Sequence, residues 1–323
     1  ITPFNFPYNL ALHKIGPAFA VGNTILFKPH PQNYLSGQRL VELCIEAGMS
    51  ENMIQMIMPS NEDMAKVVAH ADINLISLTG GIIAANAISK NAGMKKLLFE
   101  LGGNDPLILM PDGNLDKAVT TCINQRFGTA GQRCTAAKRI FIHSDVYQEF
   151  KNKVVKAATE LIIGDPTHPD TFVGPVVNKH AAGSVMERIE LAIKSGAQVL
   201  LGNKRDGNII YPTILEDVPI DARLICEETF GPVLPLIKFD NIEDVIETVN
   251  SAKYGLQSGV FTKDLELIKK LFNELEVGAL IVDDGPGFRA EHFPFGGVKQ
   301  SGLGSEGVRY TMREMAHRKT LVL

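Results

Sequence analysis

The chain of 323 residues holds only four cysteines, Cys44, Cys122, Cys134 and Cys226. They are too few and too scattered for a disulfide framework, and no CxxC pair points to zinc. No metal site is expected, and the cysteine usage fits a reduced, cytoplasmic compartment. No apolar run reaches the roughly 18 residues that a membrane span needs. Lys and Arg together number 32 against 36 Asp and Glu, a formal net charge of −4. No basic excess therefore points to nucleic acid or to a membrane surface. There is no GxGxxG, no internal repeat and no low-complexity linker. The chain opens on Ile1, and ITPFNFPYNL has neither the charged nor the apolar region of a signal peptide. It reads as the inside of a domain, so a missing upstream part is expected.

What is there is ordinary globular material, 45% hydrophobic and 21% charged, long enough for a large core divided between two domains. Up to Gly103, short apolar runs alternate with helical patterns. NTILFKP, IQMIMP, NLISLTG and KKLLFELGG read as strands. Leu35, Leu40, Val41, Leu43 and Cys44 make one side of a helix that ends at Gly48. A second is capped by Asn61 or Asp63, and a third is GIIAANAISK. Such alternation predicts a parallel sheet with βαβ crossovers. From Asn104 the pattern restarts. Strands are expected at DPLILM, RIFIHSDV, AQVLL, VLPLIKF, SGVF and GALIV. Helices are expected at NLDKAVTTCINQRFG, from Val146 to Ile163, and near 179–195, 241–250 and 264–276. The predicted organisation is α/β, with domains at 1–103 and 104–285. Residues 286–323 follow as a glycine-rich return segment, a helix and a terminal strand KTLVL.

Certain residues stand out chemically. Cys134 lies in TAGQRCTAAKR, beside Arg133 and among residues that make poor core. A thiolate is a nucleophile, and a nearby cation lowers a cysteine's pKa; the alternative is a small core side chain. Glu100 ends an apolar strand before Gly-Gly. Partial burial there would raise its pKa towards the range of a general base; otherwise it simply reaches solvent. Asn5, between the prolines of PFNFP, is either a turn residue or an amide donor of the kind that stabilises an oxyanion. Lys28 at a strand end is a phosphate or ribose contact or a solvated lysine. Thr79–Gly81, opening a helix after a strand, resembles a phosphate-binding turn.

Taken in order, PFNFP, GNTILFKP, LTGG, FELGG, GQRC, EETFGPV, YGLQSGVFT and PFGGVKQSGLGSEG resemble the aldehyde dehydrogenase superfamily along the whole chain. The resemblance implies a Rossmann-like coenzyme domain, present only in part, and an α/β catalytic domain. It implies Cys134 as the nucleophile, Asn5 and the Cys134 N–H as the oxyanion site, and Glu100 as the base that activates water. It implies cofactor contacts from Lys28, Gly80, Gly81, Glu228 and Phe230 to NAD or NADP, with Glu227 a solvated neighbour. Arg133, Thr135 and Arg289 are the substrate-side residues it suggests. ELGGNDP and GQRCTAAKR look like the branch of phosphonoacetaldehyde, non-phosphorylating glyceraldehyde-3-phosphate and lactaldehyde dehydrogenases. The two arginines suit an anionic group on a small aldehyde.

There are departures. Gly81 stands where many relatives have serine, Ala84 or Ala85 where a glycine is usual, and Asn104 where lysine is common. Pro31 replaces a glutamate often found in NAD-preferring members, which leaves both coenzymes open. The parent protein is expected to be a homodimer or homotetramer, and the 323-residue chain to be poorly stable and weakly active. Alternatives are an acylating, coenzyme A-dependent relative, an inactive fragment kept for structure or binding, and a cysteine hydrolase. Glu100 argues against the first, the intact set against the second, and the lack of a recognisable histidine base against the last.

Overall fold

Residues 106–109 are Pro-Leu-Ile-Leu, and all four are buried. A strand sends alternate side chains to opposite faces, so such a run needs cover on both. In the computed structural model, which describes residues 1–323, it has that cover. Leu107 and Leu109 enter one core with Ile140 and Ile142. Ile108 enters another with Phe141, Phe239 and Val260.

The sheet behind this pattern has seven strands, in the order Ala279–Val282, Gln257–Phe261, Pro106–Leu109, Arg139–His143, Val233–Phe239, Thr213–Glu216 and Gln198–Leu201. Neighbours run parallel except the last pair. Helices Leu115–Phe127, Ser144–Thr159 and Lys179–Lys194 pack on the Leu107 face. Helices Ile242–Asn250 and Leu265–Glu274 pack on the Ile108 face. This unit comprises residues 103–288, and a second comprises 1–102 with 289–323.

In that second unit the four expected strands do not form one sheet. Ile25–Phe27 pairs with Ile54–Met56, and Leu75–Thr79 with Lys96–Glu100, both in parallel. Gly302–Leu303 adds an antiparallel edge to Lys96–Glu100. A cavity of about 800 Å³, with Leu26, Ile76 and Ser77 in its wall, separates the two pairs. Ile1 and Thr2 bond to a residue of each side: Ile1 N to Ser77 O (2.9 Å), Thr79 N to Ile1 O (3.1 Å) and Thr2 N to Lys28 O (3.1 Å).

Other expectations need correcting. In helix Tyr34–Glu46 only Gly37 and Leu40 are buried. Leu35 and Leu43 are exposed, since no described element covers that side. Ser60, not Asn61 or Asp63, caps helix Asn61–Ala69 by accepting from Asp63 N. The helix expected over 146–163 is Ser144–Thr159. It stops because Ile162 O accepts from Phe172 and Val173 and Ile163 bridges to Val173. KTLVL is not a strand: it has no ladder partner, and Leu321, Val322 and Leu323 are exposed. Helix Asn9–Ala20 was not foreseen, because Pro17 lies inside it and reads as a breaker. No helix is long and apolar enough to cross a membrane.

Candidate active site

Helix Leu115–Phe127 runs into three successive left-handed residues, Thr129 (φ 56°), Ala130 (φ 52°) and Gly131 (φ 71°). For residues other than glycine this conformation costs about 1–2 kcal/mol and persists only where surroundings over-determine it. Here they do. A Cβ on Gly131 would run into the backbone of Gly231. Gln132 is buried; its Oε1 accepts from Val177 N (2.8 Å) and its Nε2 donates to Thr129 O (3.1 Å). Arg133, Cys134 and Thr135 then emerge half-buried before Ala136 returns to the core. Cys134, read as sitting among residues that make poor core, is therefore half-buried on a braced loop. Arg133 folds back, its Nε and Nη2 donating to Thr129 Oγ1 at 3.3 and 3.1 Å. Burial lowers the guanidinium's pKa, against the opposing pull of Cys134.

The inner side of this loop is charged. The buried Lys138 donates its Nζ to the carbonyl of Cys134 and lies 3.4 Å from Glu228 Oε1. The same oxygen accepts from Gly103 N at 3.0 Å. Burial holds the Glu228 carboxyl above its ordinary range, while Lys138 and the Gly103 N–H pull it back. Phe230 faces the same ammonium, with its ring centroid 5.9 Å from Nζ. Arg126, fully buried, holds the Glu228–Phe230 segment by donating to Thr229 O (3.1 Å) and to Val233 O. Glu227, expected to be merely solvated, pairs with Arg188 at 2.9 Å and Arg223 at 3.2 Å. Beside Gly103, Asp105 is buried, and burial pushes its pKa up to about 7 against the opposing pull of Lys138 and the Gln257 N–H. Asp105, Lys138 and the Glu228–Phe230 segment precede the strands that begin at Pro106, Arg139 and Val233.

The 1–102 and 289–323 unit carries the rest. Glu100 ends its strand only 5% exposed, and its Oε2 has no partner. Burial first, and the charge of Glu306 second, raise its pKa well above the ordinary value. Glu306 is itself buried against Lys14 Nζ (2.5 Å). Arg289 reaches Glu306 Oε2 at 3.3 Å and Glu291 Oε1 at 3.4 Å, and lies 4.1 Å over the Phe295 ring. It is engaged by carboxylates of its own unit. Asn5 is half-buried in the turn before helix Asn9–Ala20, and Asn33 Nδ2 fixes that turn by donating to Phe4 O (2.9 Å). Lys28 follows strand Ile25–Phe27, with its pKa lowered by burial. Gly80 N donates to Glu100 O (3.0 Å), so the turn and the carboxylate share adjacent strand ends. Gly81 precedes helix Ile82–Asn91 with no side-chain cap, and the space where a Cβ would stand is open. The unspent N–H groups of such a first turn attract anions.

Sequence reasoning missed Arg126, Gln132, Lys138 and the Lys14–Glu306 pair. Lys138 and Gln132 lay inside TAGQRCTAAKR, and Glu306 inside PFGGVKQSGLGSEG. Nothing in residue type or spacing distinguished them from solvated neighbours.

The aldehyde dehydrogenase family model matches residues 1–321. The chain is 58% identical over 323 residues to a sulfoacetaldehyde dehydrogenase of Neptuniibacter caesariensis, covering all of this chain and 71% of that protein. It is 38% identical over 324 residues to a 3-sulfolactaldehyde dehydrogenase of Priestia aryabhattai, covering all of this chain and 68% of that one. Among solved structures, it is similar to the glyceraldehyde-3-phosphate dehydrogenase GapN of Methanocaldococcus jannaschii in complex with NADP. That match has a TM-score of 0.93 at 38% identity, over 97% of this chain and 70% of that one. It is also similar to succinic semialdehyde dehydrogenase of Streptococcus pyogenes with NADP+, with a TM-score of 0.95 at 30% identity, over 100% of this chain and 72% of that one. The chain belongs to the aldehyde dehydrogenase family of NAD(P)-dependent oxidoreductases.

Proposed function

We propose that this protein oxidises a short aldehyde carrying a sulfonate or a similar anion to its carboxylic acid. The substrate class rests on one observation, the 58% identity to a sulfoacetaldehyde dehydrogenase along the whole chain.

Cys134 attacks the aldehyde carbon as thiolate. The carbonyl oxygen becomes an oxyanion, held by the Asn5 amide and the Cys134 N–H. A bound nicotinamide coenzyme supplies the acceptor for the hydride that leaves this carbon. Glu100 then takes a proton from water, which attacks the resulting thioester and releases the acid and the thiol. The unpartnered Oε2 and raised pKa of Glu100 suit that task.

The residues present fit a dinucleotide. The uncapped turn at Gly80 and Gly81 would take pyrophosphate, Lys28 and Glu228 would take the ribose hydroxyls, and Phe230 would pack near the nicotinamide. Pro31 leaves no carboxylate at that position to repel a 2′-phosphate, which favours acceptance of NADP. The solved relatives with NADP support the same choice. Arg133, with Thr135 beside it, would exchange its bond to Thr129 for the substrate anion, and Arg289 would share its charge between that anion and Glu306.

The test is a panel of sulfonated, phosphorylated, carboxylated and neutral two- and three-carbon aldehydes, each with NAD and NADP. The expected result is the highest kcat/KM for a sulfonated aldehyde. Equal kcat/KM for neutral aldehydes of the same length would refute the substrate class.

A further inference from the structure

The carbonyl of Cys134 is held from two sides. A Cβ added to Gly103 would come within 2.8 Å of it, so the nucleophile's backbone rests directly on that glycine. From the other side the Lys138 ammonium donates to it. A lysine almost never lies fully buried unless paired, and this side chain is 1% exposed. Its partners are this one carbonyl and Glu228 Oε1. A further charge that acts on it belongs to Asp105, which is buried as well. A four-carbon stem buried for one backbone oxygen and one carboxylate is costly if its only purpose is packing, because methionine would fill the same space without a charge to desolvate.

We propose that Lys138 is a positioning residue that ties the Cys134 loop to Glu228, setting the nucleophile and the ribose-binding carboxylate in one register. Glu228 Oε1 is held inward by Lys138 and Gly103 N, so its other oxygen is the one left for a ribose hydroxyl. The carbonyl bond anchors the peptide plane that follows Cys134, and with it the backbone that carries the thiol. Misplacing reacting groups by about 1 Å costs on the order of 100-fold in rate. The inference rests on the reading of Cys134 as the nucleophile.

The test uses Lys138→Met, Lys138→Gln and Lys138→Arg, with Cys134→Ser as a control on that reading. Melting temperature and circular dichroism report folding; kcat, aldehyde KM and the rate of Cys134 alkylation by iodoacetamide report function. Both uncharged variants are expected to fold and to lose about 10–100-fold in kcat, with aldehyde KM changed less than about threefold. Their alkylation rates should change as well, and Lys138→Arg should recover part of kcat. An uncharged folded variant with kcat within about threefold of wild type overturns the proposal. So does failure of both uncharged variants to fold, since Lys138 would then serve the fold alone. Activity retained in Cys134→Ser would instead sink the nucleophile reading, and this inference with it.

Discussion

A carboxylate with an unpartnered oxygen in a site 5% exposed, such as Glu100, is stable only if it often holds a proton. Its raised pKa gives the pH dependence a sign. In the proposed mechanism thioester hydrolysis needs the deprotonated form, so kcat should fall as pH drops through that raised value. Glu100→Gln should lower kcat by about 10²–10⁴-fold and flatten the acid limb, while the burst of coenzyme reduction survives. Stopped-flow absorbance at 340 nm separates the two phases. Asp105 offers the complementary case. Its pKa in the folded protein is about 7, against 3.8 as the ordinary value. The folded state therefore binds the proton more tightly than the unfolded state between those values. Stability from this group is full below about 4 and lost as pH rises to about 7. Asp105→Asn should remove that decline, so the gap between melting temperatures at pH 5 and pH 8 should shrink relative to wild type. An unchanged gap would mean that Lys138 and Arg139 already compensate the charge.

At the scale of elements, periodicity and punctuation made most of the fold legible. Continuous apolar runs marked the strands at Pro106–Leu109 and Val233–Phe239, and of the residues whose spacing gives an inward face to helix Leu115–Phe127, Ala118, Val119 and Cys122 are buried and Leu115 is partly buried. The hidden features were tertiary. Helix Asn9–Ala20 carries Pro17, and strand Thr213–Glu216 is only four residues long. Pairing of the first four strands depends on which edges meet, which alternation alone does not specify. The family was legible because its motifs matched in wording and order, whereas the bracing around Cys134 was not. That bracing draws on Gly103, Val177 and Gly231, which lie far along the chain from Gln132 and Lys138. Two substitutions test the assignments at this scale. Ser60→Ala removes the oxygen that accepts from Asp63 N and should cost about 1 kcal/mol with kcat unchanged. Leu107→Ala, in a site with no exposure, should cost about 2–5 kcal/mol by urea unfolding.

For the whole molecule, the charge balance and the proposed substrate pull in opposite directions. The chain carries a formal net charge of −4, so its summed field disfavours the approach of an anion. An anionic aldehyde must be captured by local cations strong enough to overcome that field at short range. Ionic strength separates the two contributions. The Debye length falls from about 30 Å at 0.01 M to about 10 Å at 0.1 M and 3 Å at 1 M. Screening would remove the long-range repulsion first and would raise kcat/KM if the net charge governed encounter. If cations such as Arg133 dominate, kcat/KM for the sulfonated aldehyde should fall a few-fold as salt rises. For a neutral aldehyde of the same length it should stay flat. Arg133→Gln should then abolish most of the salt dependence together with the preference for the anion. A rise of kcat/KM with salt for the sulfonated substrate would place the controlling charge on the molecule as a whole rather than on the loop that carries Cys134.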